Sequence, residues 1–193
     1  MRPRRPGRDR MTETPADGPF VWNVSGLLAD DVGSHRDHEV RDATLALPDD
    51  LALAAPVQGT VRLAKTNRGI LADARLTTSL DMECVRCLRP TVVPIDLRIE
   101  EDYLPLLDLV TGAPVAIDDE PEALRLTDHH ELDLESSVRD AISLAEPIAP
   151  LDRPDCPGLC IVCGEPLDQG THDHPDDDID PRLEALRAFK VEE

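Results

Sequence analysis

Seven residues of this chain combine chemically useful side chains with informative spacing. Cys84-Val85-Arg86-Cys87 places two thiols on a CxxC spacing, and Cys156, Cys160 and Cys163 form a second cluster followed by His172 and His174. Thiolate and imidazole are the donors zinc takes in tetrahedral structural sites, and two residues between thiols let one tight turn supply two of them. Cys160-Ile161-Val162-Cys163-Gly164 fits that pattern, because Gly164 can adopt the left-handed backbone such a knuckle needs. Cys156 offers a third sulfur, and His172 or His174 would complete a Cys3His site. Alternatively, Cys84, Cys87, Cys160 and Cys163 would close one four-thiolate site. The separation between those two pairs is far longer than in compact fingers, which favours the local set. Either way the cation expected is a structural zinc.

Other chemistries are weaker. A reactive dithiol usually sits at a helix N-terminus, where the dipole lowers its pKa; the pattern around Cys84 and Cys87 is strand on both sides. A bland reading of Cys84 is a small buried hydrophobe. His35 with His38, and His129 with His130, are expected in solvated loops. No nucleophile elbow, phosphate loop, metalloprotease motif or dinucleotide fingerprint appears. The sequence therefore names no catalytic or cofactor-binding residue, no enzyme activity and no small-molecule substrate.

Those thiols need elements to hold them. From Ile70 to Cys84 the even positions read Ile, Ala, Ala, Leu, Thr, Leu, Met and Cys, with polar residues between them after Leu71. That is the alternation of a strand with one buried and one wet face. Val93, Ile95, Leu97 and Ile99 repeat it against Asp96, Arg98 and Glu100, so the two runs form a hairpin with the CxxC at its turn. Val57, Val61 and Leu63 alternate against Gln58, Thr60 and Arg62, and Thr66-Asn67-Arg68-Gly69 supplies a turn, which predicts a three-stranded meander over 57–101. Phe20 to Leu28 reads as an apolar strand anchored by Trp22, and Asp30 to Glu39 as a loop. Leu134, Val138, Ala141, Ile142 and Ala145 recur at helical spacing, with Asp133 as N-cap and Pro147 as stop. The class is α+β: a mainly antiparallel sheet with a CxxC hairpin, packed by an amphipathic helix, plus a small C-terminal Cys/His knuckle and a short terminal helix.

The expected organisation is a disordered arm over 1–19, a core domain over 20–151, a zinc-knuckle-like module over 152–175, and an acidic linker with a helix from Pro181 to Lys190 over 176–193. Phe20, Trp22, Tyr103 and Phe189 are the only aromatics, so the core must be aliphatic. The 193 residues include 20 basic and 40 acidic ones, a formal net charge of −20, although the first ten residues alone hold five Arg. Neutralising phosphates needs Lys and Arg, so extensive nucleic-acid binding by the folded part is disfavoured. No stretch approaches the length of a membrane span. No apolar core follows Arg4-Arg5, so no export signal is expected, and Met11 is an equally good start. Five Cys without an export signal argue for reduced thiols and a cytoplasmic protein.

Cys84-Val85-Arg86-Cys87-Leu88, then Leu132 to Ile142, then Asp155-Cys156-Pro157-Gly158-Leu159-Cys160-Ile161-Val162-Cys163-Gly164 and the tail Asp180 to Leu186 together resemble the YceD family, the large ribosomal RNA subunit accumulation proteins. The resemblance runs from about residue 20 to the end. It implies a ribosome-biogenesis factor for large-subunit (23S) ribosomal RNA accumulation, with no established catalytic residues. The implied partners are ribosomal proteins or ribosome-assembly and RNA-processing proteins, with ribosomal RNA contacted at most indirectly. Many relatives carry further cysteines where this chain has His172 and His174, and imidazole can replace thiolate at zinc. The competing functions are a thiol-based redox or metal-responsive regulator, and a plain acidic protein-interaction module.

Overall fold

A computed structural model of the chain describes residues 18–48, 51–108, 111–114, 122–174 and 182. The expected N-terminal arm up to residue 17, and the terminal helix apart from Arg182, lie outside the described residues. The chain divides into two compact units, Met1–Met82 with Val92–Ile148, and Glu83–Thr91 with Ala149–Glu193.

The first unit is built on the alternating runs. In chain order its elements are β1 (Val21–Asn23), α1 (Ser25–Ala29), β2 (His35–Ala43), β3 (Ala52–Lys65), β4 (Ile70–Glu83), β5 (Pro90–Leu104), β6 (Leu124–Arg125), β7 (Glu131–Asp133) and α2 (Glu135–Ala145). Strands β2-β3-β4-β5-β6 form one sheet in that order, and β1 pairs with β7 in a second, two-stranded sheet. The β2–β3 and β3–β4 pairs are antiparallel, whereas β5 and β6 run parallel. The predicted meander is the centre of this sheet. Its parity holds: Ile70, Ala72, Ala74, Leu76 and Leu80 are buried along β4, and Ile95, Leu97 and Ile99 along β5.

Helix α2 covers that apolar face. Leu134, Val138 and Ile142 are fully buried in one cluster with Leu76, Leu80, Ile95, Leu97 and Ile99, each side chain contributing roughly 1.5–3 kcal/mol of apolar burial. Leu134 is the N-cap, one residue later than expected. Asp133 still serves the first turn, because its Oδ1 accepts the Glu135 N–H at 2.9 Å. The buried Tyr103 hydroxyl donates to the Asp133 carbonyl at 2.9 Å, tying the end of β5 to the start of the helix.

Two expectations need correcting. Residues 30–39 do not form a loop throughout, since His35–Ala43 is an edge strand pairing with β3 from His35↔Ala64 to Ala43↔Val57. Backbone pairing is indifferent to its charged side chains, and only Val40 and Ala43 reach the core. Residues 20–28 are not one strand either: β1 ends at Asn23, and a short helix buries Leu27 and Leu28. Trp22 is a packing anchor, 5% exposed, with its ring 5.5 Å from that of His38. Among the described residues no helix is long and apolar enough to cross a membrane.

Candidate metal centre

All seven candidate ligands fall in the second unit, four of them in two turns of one design. At the first turn, the Cys84 N–H donates to the Arg89 carbonyl at 2.9 Å and the Leu88 N–H to the Cys84 carbonyl at 2.9 Å. At the second, the Cys160 N–H donates to the Glu165 carbonyl at 2.8 Å and the Gly164 N–H to the Cys160 carbonyl at 2.9 Å. Each turn closes with a residue of positive φ immediately after its second cysteine, Leu88 at 58° and Gly164 at 74°. This geometry turns both thiols to one side and directs main-chain N–H groups at the first sulfur. Gly164 makes the conformation without strain, whereas Leu88 makes it against its own Cβ, at a cost of roughly 1–2 kcal/mol. Leu88 is 59% exposed, so it packs on little. Leu88→Gly is therefore expected to stabilise the protein by about 0.5–1 kcal/mol in thermal unfolding, after the extra chain entropy of glycine is subtracted.

The ligand atoms gather into two groups of four, each within 4.8 Å of one another: Cys160, Cys163, His172 and His174 in one, and Cys84, Cys87, Asp152 and Cys156 in the other. The single set expected to unite Cys156 with Cys160 and Cys163 is not the grouping found, nor is the four-thiolate set across both pairs. Cys156 joins Cys84 and Cys87, and both histidines join the knuckle. Asp152 has no sequence signal, because an acidic residue is unremarkable in a chain with 40 of them.

The knuckle group fits a zinc-class cation on three observations. Tetrahedral zinc with bonds of about 2.3 Å to sulfur and 2.0–2.1 Å to nitrogen places those ligand atoms about 3.5 Å apart. Cys163 Sγ and His172 Nδ1 are 3.5 Å apart. His172 Nε2 lies 3.1 Å from the Pro166 carbonyl; donating its N–H there, the ring leaves Nδ1 as a lone pair facing the thiols, as an outer carbonyl does for a metal-bound imidazole. His174 Nε2 is buried with no hydrogen-bond partner, a cost that a cation would remove. Main-chain N–H groups of Cys163 and Val162 bring the Cys160 thiol down to about 6, against the opposing effect of its burial. In the other group, burial pushes the Cys84 thiol up, but N–H groups of Asp152, Cys87 and Arg86 outweigh it and bring it down to about 7. Burial, followed by the neighbouring Asp152 carboxylate, pushes Cys156 up to about 12. A cation taken up there must displace that proton, so binding releases acid.

An ion-pair cluster braces the same unit. Asp168 accepts from both Arg89 nitrogens, at 2.9 and 2.6 Å, and from Arg153 at 2.9 Å. Those guanidiniums, Arg89 first, hold the Asp168 carboxyl well below its ordinary 3.8, and Asp168 in turn raises Arg89. A depressed carboxyl stabilises the fold at pH values above its unfolded pKa, and the contribution fades as pH falls through the folded value. Asp168→Asn is thus expected to lower the unit's stability at neutral pH, with the gap to wild type closing below about pH 4. Unfolding of both proteins compared at neutral pH checks the loss, and stepwise acidification follows the gap as far as the cation ligands stay deprotonated.

Comparison with known proteins adds a family and relatives. The model of the family described as "Large ribosomal RNA subunit accumulation protein YceD" matches residues 72–190. The uncharacterized protein Rv2926c of Mycobacterium tuberculosis is 34% identical over 126 residues, 65% of this chain and 58% of that protein. The uncharacterized protein ML1660 of Mycobacterium leprae is 31% identical over 129 residues, 66% of this chain and 56% of that protein. The matched region thus spans less than two thirds of these relatives' length. No solved structure gives a significant match.

Proposed function

This chain belongs to the YceD family, the large ribosomal RNA subunit accumulation proteins, and from that footing we propose that it is a non-enzymatic ribosome-biogenesis factor supporting accumulation or processing of large-subunit ribosomal RNA. The family match over 72–190 carries the reading. The net charge of −20 supports an indirect route to RNA, because such a surface repels phosphate backbones and complements basic ribosomal or RNA-processing proteins instead. Gathering all five cysteines as candidate metal ligands rather than as disulfide pairs supports a reducing, cytoplasmic site of action. Cys160, Cys163, His172 and His174 hold a structural zinc that shapes the tail.

Deleting the gene tests this. The expected result is accumulated large-subunit precursor and reduced mature large-subunit ribosomal RNA, restored by the wild-type gene and poorly by Cys160→Ser. Unchanged precursor and mature levels would refute the proposal. One observation favours a second reading, a thiol-based regulator: Cys84 Sγ and Cys156 Sγ are 3.7 Å apart. Counting free thiols after mild oxidation separates the two, since a switch would lose that pair selectively and a structural site would not.

A further inference from the structure

We propose that Cys84, Cys87, Asp152 and Cys156 hold a second cation of the zinc class, separate from the one at the knuckle, so that the second unit is a two-cation module. This deepens the structural-zinc part of the preceding proposal, and the experiment below reports each centre independently.

The distances carry the inference. A tetrahedral centre with metal–sulfur bonds of about 2.3 Å separates two sulfurs by about 3.8 Å, and a sulfur from a carboxylate oxygen by about 3.5 Å. Cys84 Sγ lies 3.7 Å from Cys156 Sγ and 3.5 Å from Asp152 Oδ1. Both are edges of that tetrahedron, and the first is far longer than the roughly 2.05 Å of a disulfide. All three thiols are buried: Cys84 is 0%, Cys87 6% and Cys156 2% exposed. They form a cluster of their own, flanked by the half-buried Leu151 and Leu159. Three buried sulfurs around one carboxylate are a poor apolar core, but they are a complete donor set for a borderline-soft cation.

Charge supplies an independent argument. Three thiolates and a carboxylate around a dication leave a net negative centre, which needs cations nearby. This unit provides them in a chain where acids outnumber bases two to one. Arg86 Nη1 donates to the Cys156 carbonyl at 2.9 Å, and Arg89 Nη1 lies 3.8 Å from Asp152 Oδ2. Arg153 follows Asp152 directly and shares Asp168 with Arg89. The knuckle group of two thiolates and two neutral imidazoles balances a dication by itself and needs no such escort.

The two centres also divide the work. The knuckle closes 160–174 on itself. The second centre joins the 84–87 turn to the segment carrying Asp152 and Cys156, where the Val85 N–H already donates to the Pro150 carbonyl at 3.0 Å. Chain segments distant in sequence gain the most from such a clip, because closing the longer loop costs more entropy.

The test is cadmium-113 NMR of the untagged full chain reconstituted with that ion, alongside metal analysis. Two ions per chain are expected, giving two resonances, with the Cys3Asp line downfield of the Cys2His2 line because each thiolate deshields the nucleus. Cys156→Ser should remove the downfield line and one ion, and Cys163→Ser the upfield line and the other. Asp152→Asn, a milder change that keeps all thiols, should move the downfield line alone, which decides the matter if Cys156→Ser fails to fold. A single line at the Cys2His2 position would overturn this inference and leave the knuckle standing. A single line further downfield, at a four-sulfur position, would overturn both in favour of one shared centre. No bound ion at all would overturn the two together.

Discussion

Cys160→Ser is expected to cost the protein one equivalent of cation and to strip residues 158–174 of their protection from hydrogen exchange, while the sheet of the first unit keeps its own. The reason lies in what orders each part. The first unit has an aliphatic cluster running from Phe20 to Ile142. Among its described residues the second has a cluster of Cys84, Cys87 and Cys156 with Leu151 and Leu159, and its knuckle tip is wet: Ile161 is fully exposed and Val162 nearly half so. Fixing the backbone costs about 1–2 kcal/mol per residue, and that apolar cluster is too small to offset it. A structural zinc contributes about 10–16 kcal/mol in zinc-finger peptides near neutral pH, which is the scale required. Chelation of the wild-type protein should reproduce the loss, and extend it to residues 149–157 if the second centre is emptied as well. Full protection of 158–174 in metal-free protein would sink the structural-zinc reading. The centres should also differ in reach: Cys163 is exposed, whereas the other four cysteines are buried, so an alkylating reagent should label Cys163 first.

What is legible in the sequence follows from which forces act locally. Period-two alternation marks β4 and β5 because one face of each is buried for most of its length, and period 3.6 marks α2 for the same reason. The same rule explains the miss at β2. A strand held by backbone pairing at a sheet edge has no need of apolar residues, so HRDHEVRDA reads as a loop although it pairs as a strand. Residues 20–28 mislead in the opposite way, since a short apolar run fits strand and helix equally well. At the site, the knuckles are visible because CxxC followed by a left-handed residue is a local geometry. Which third and fourth candidate ligands gather at each knuckle is set by the path of the chain, and spacing carries no information about that. Asp152 is invisible for a further reason: its partners, Cys84 and Cys156, lie 68 and 4 residues away, on either side of the connection that only the fold brings together.

Gly59→Ala should be the most damaging single-methyl change in the sheet, destabilising by about 3 kcal/mol or more. Gly59 sits in the middle of β3 with φ at 150°, facing Val40 of β2 on one side and Leu76 of β4 on the other. A Cβ built there meets the Arg75 carbonyl oxygen at 2.1 Å and the Leu76 Cα at 2.9 Å. Both are backbone atoms of a strand in the centre of the sheet, so neither can swing aside as a flexible side chain would. Relief requires parting β3 from β4, and overpacking of that kind costs roughly 1–3 kcal/mol even where side chains can yield. The disfavoured dihedral adds roughly 1–3 kcal/mol more. The register already slips on both sides of this point, between Val40 and Ala43 in β2 and between Ala55 and Gln58 in β3. Gly59 therefore marks a point where the β4 backbone comes too close for a side chain, a role glycine fills by lacking one. Gly33→Ala is the control. Its φ of 90° also disfavours a side chain, but nothing lies within 4 Å of the added methyl, so its cost should stay near 1–2 kcal/mol. Equal losses for the two variants in denaturant unfolding would show that dihedral strain alone, and not the approach of the β4 backbone, fixes glycine at position 59.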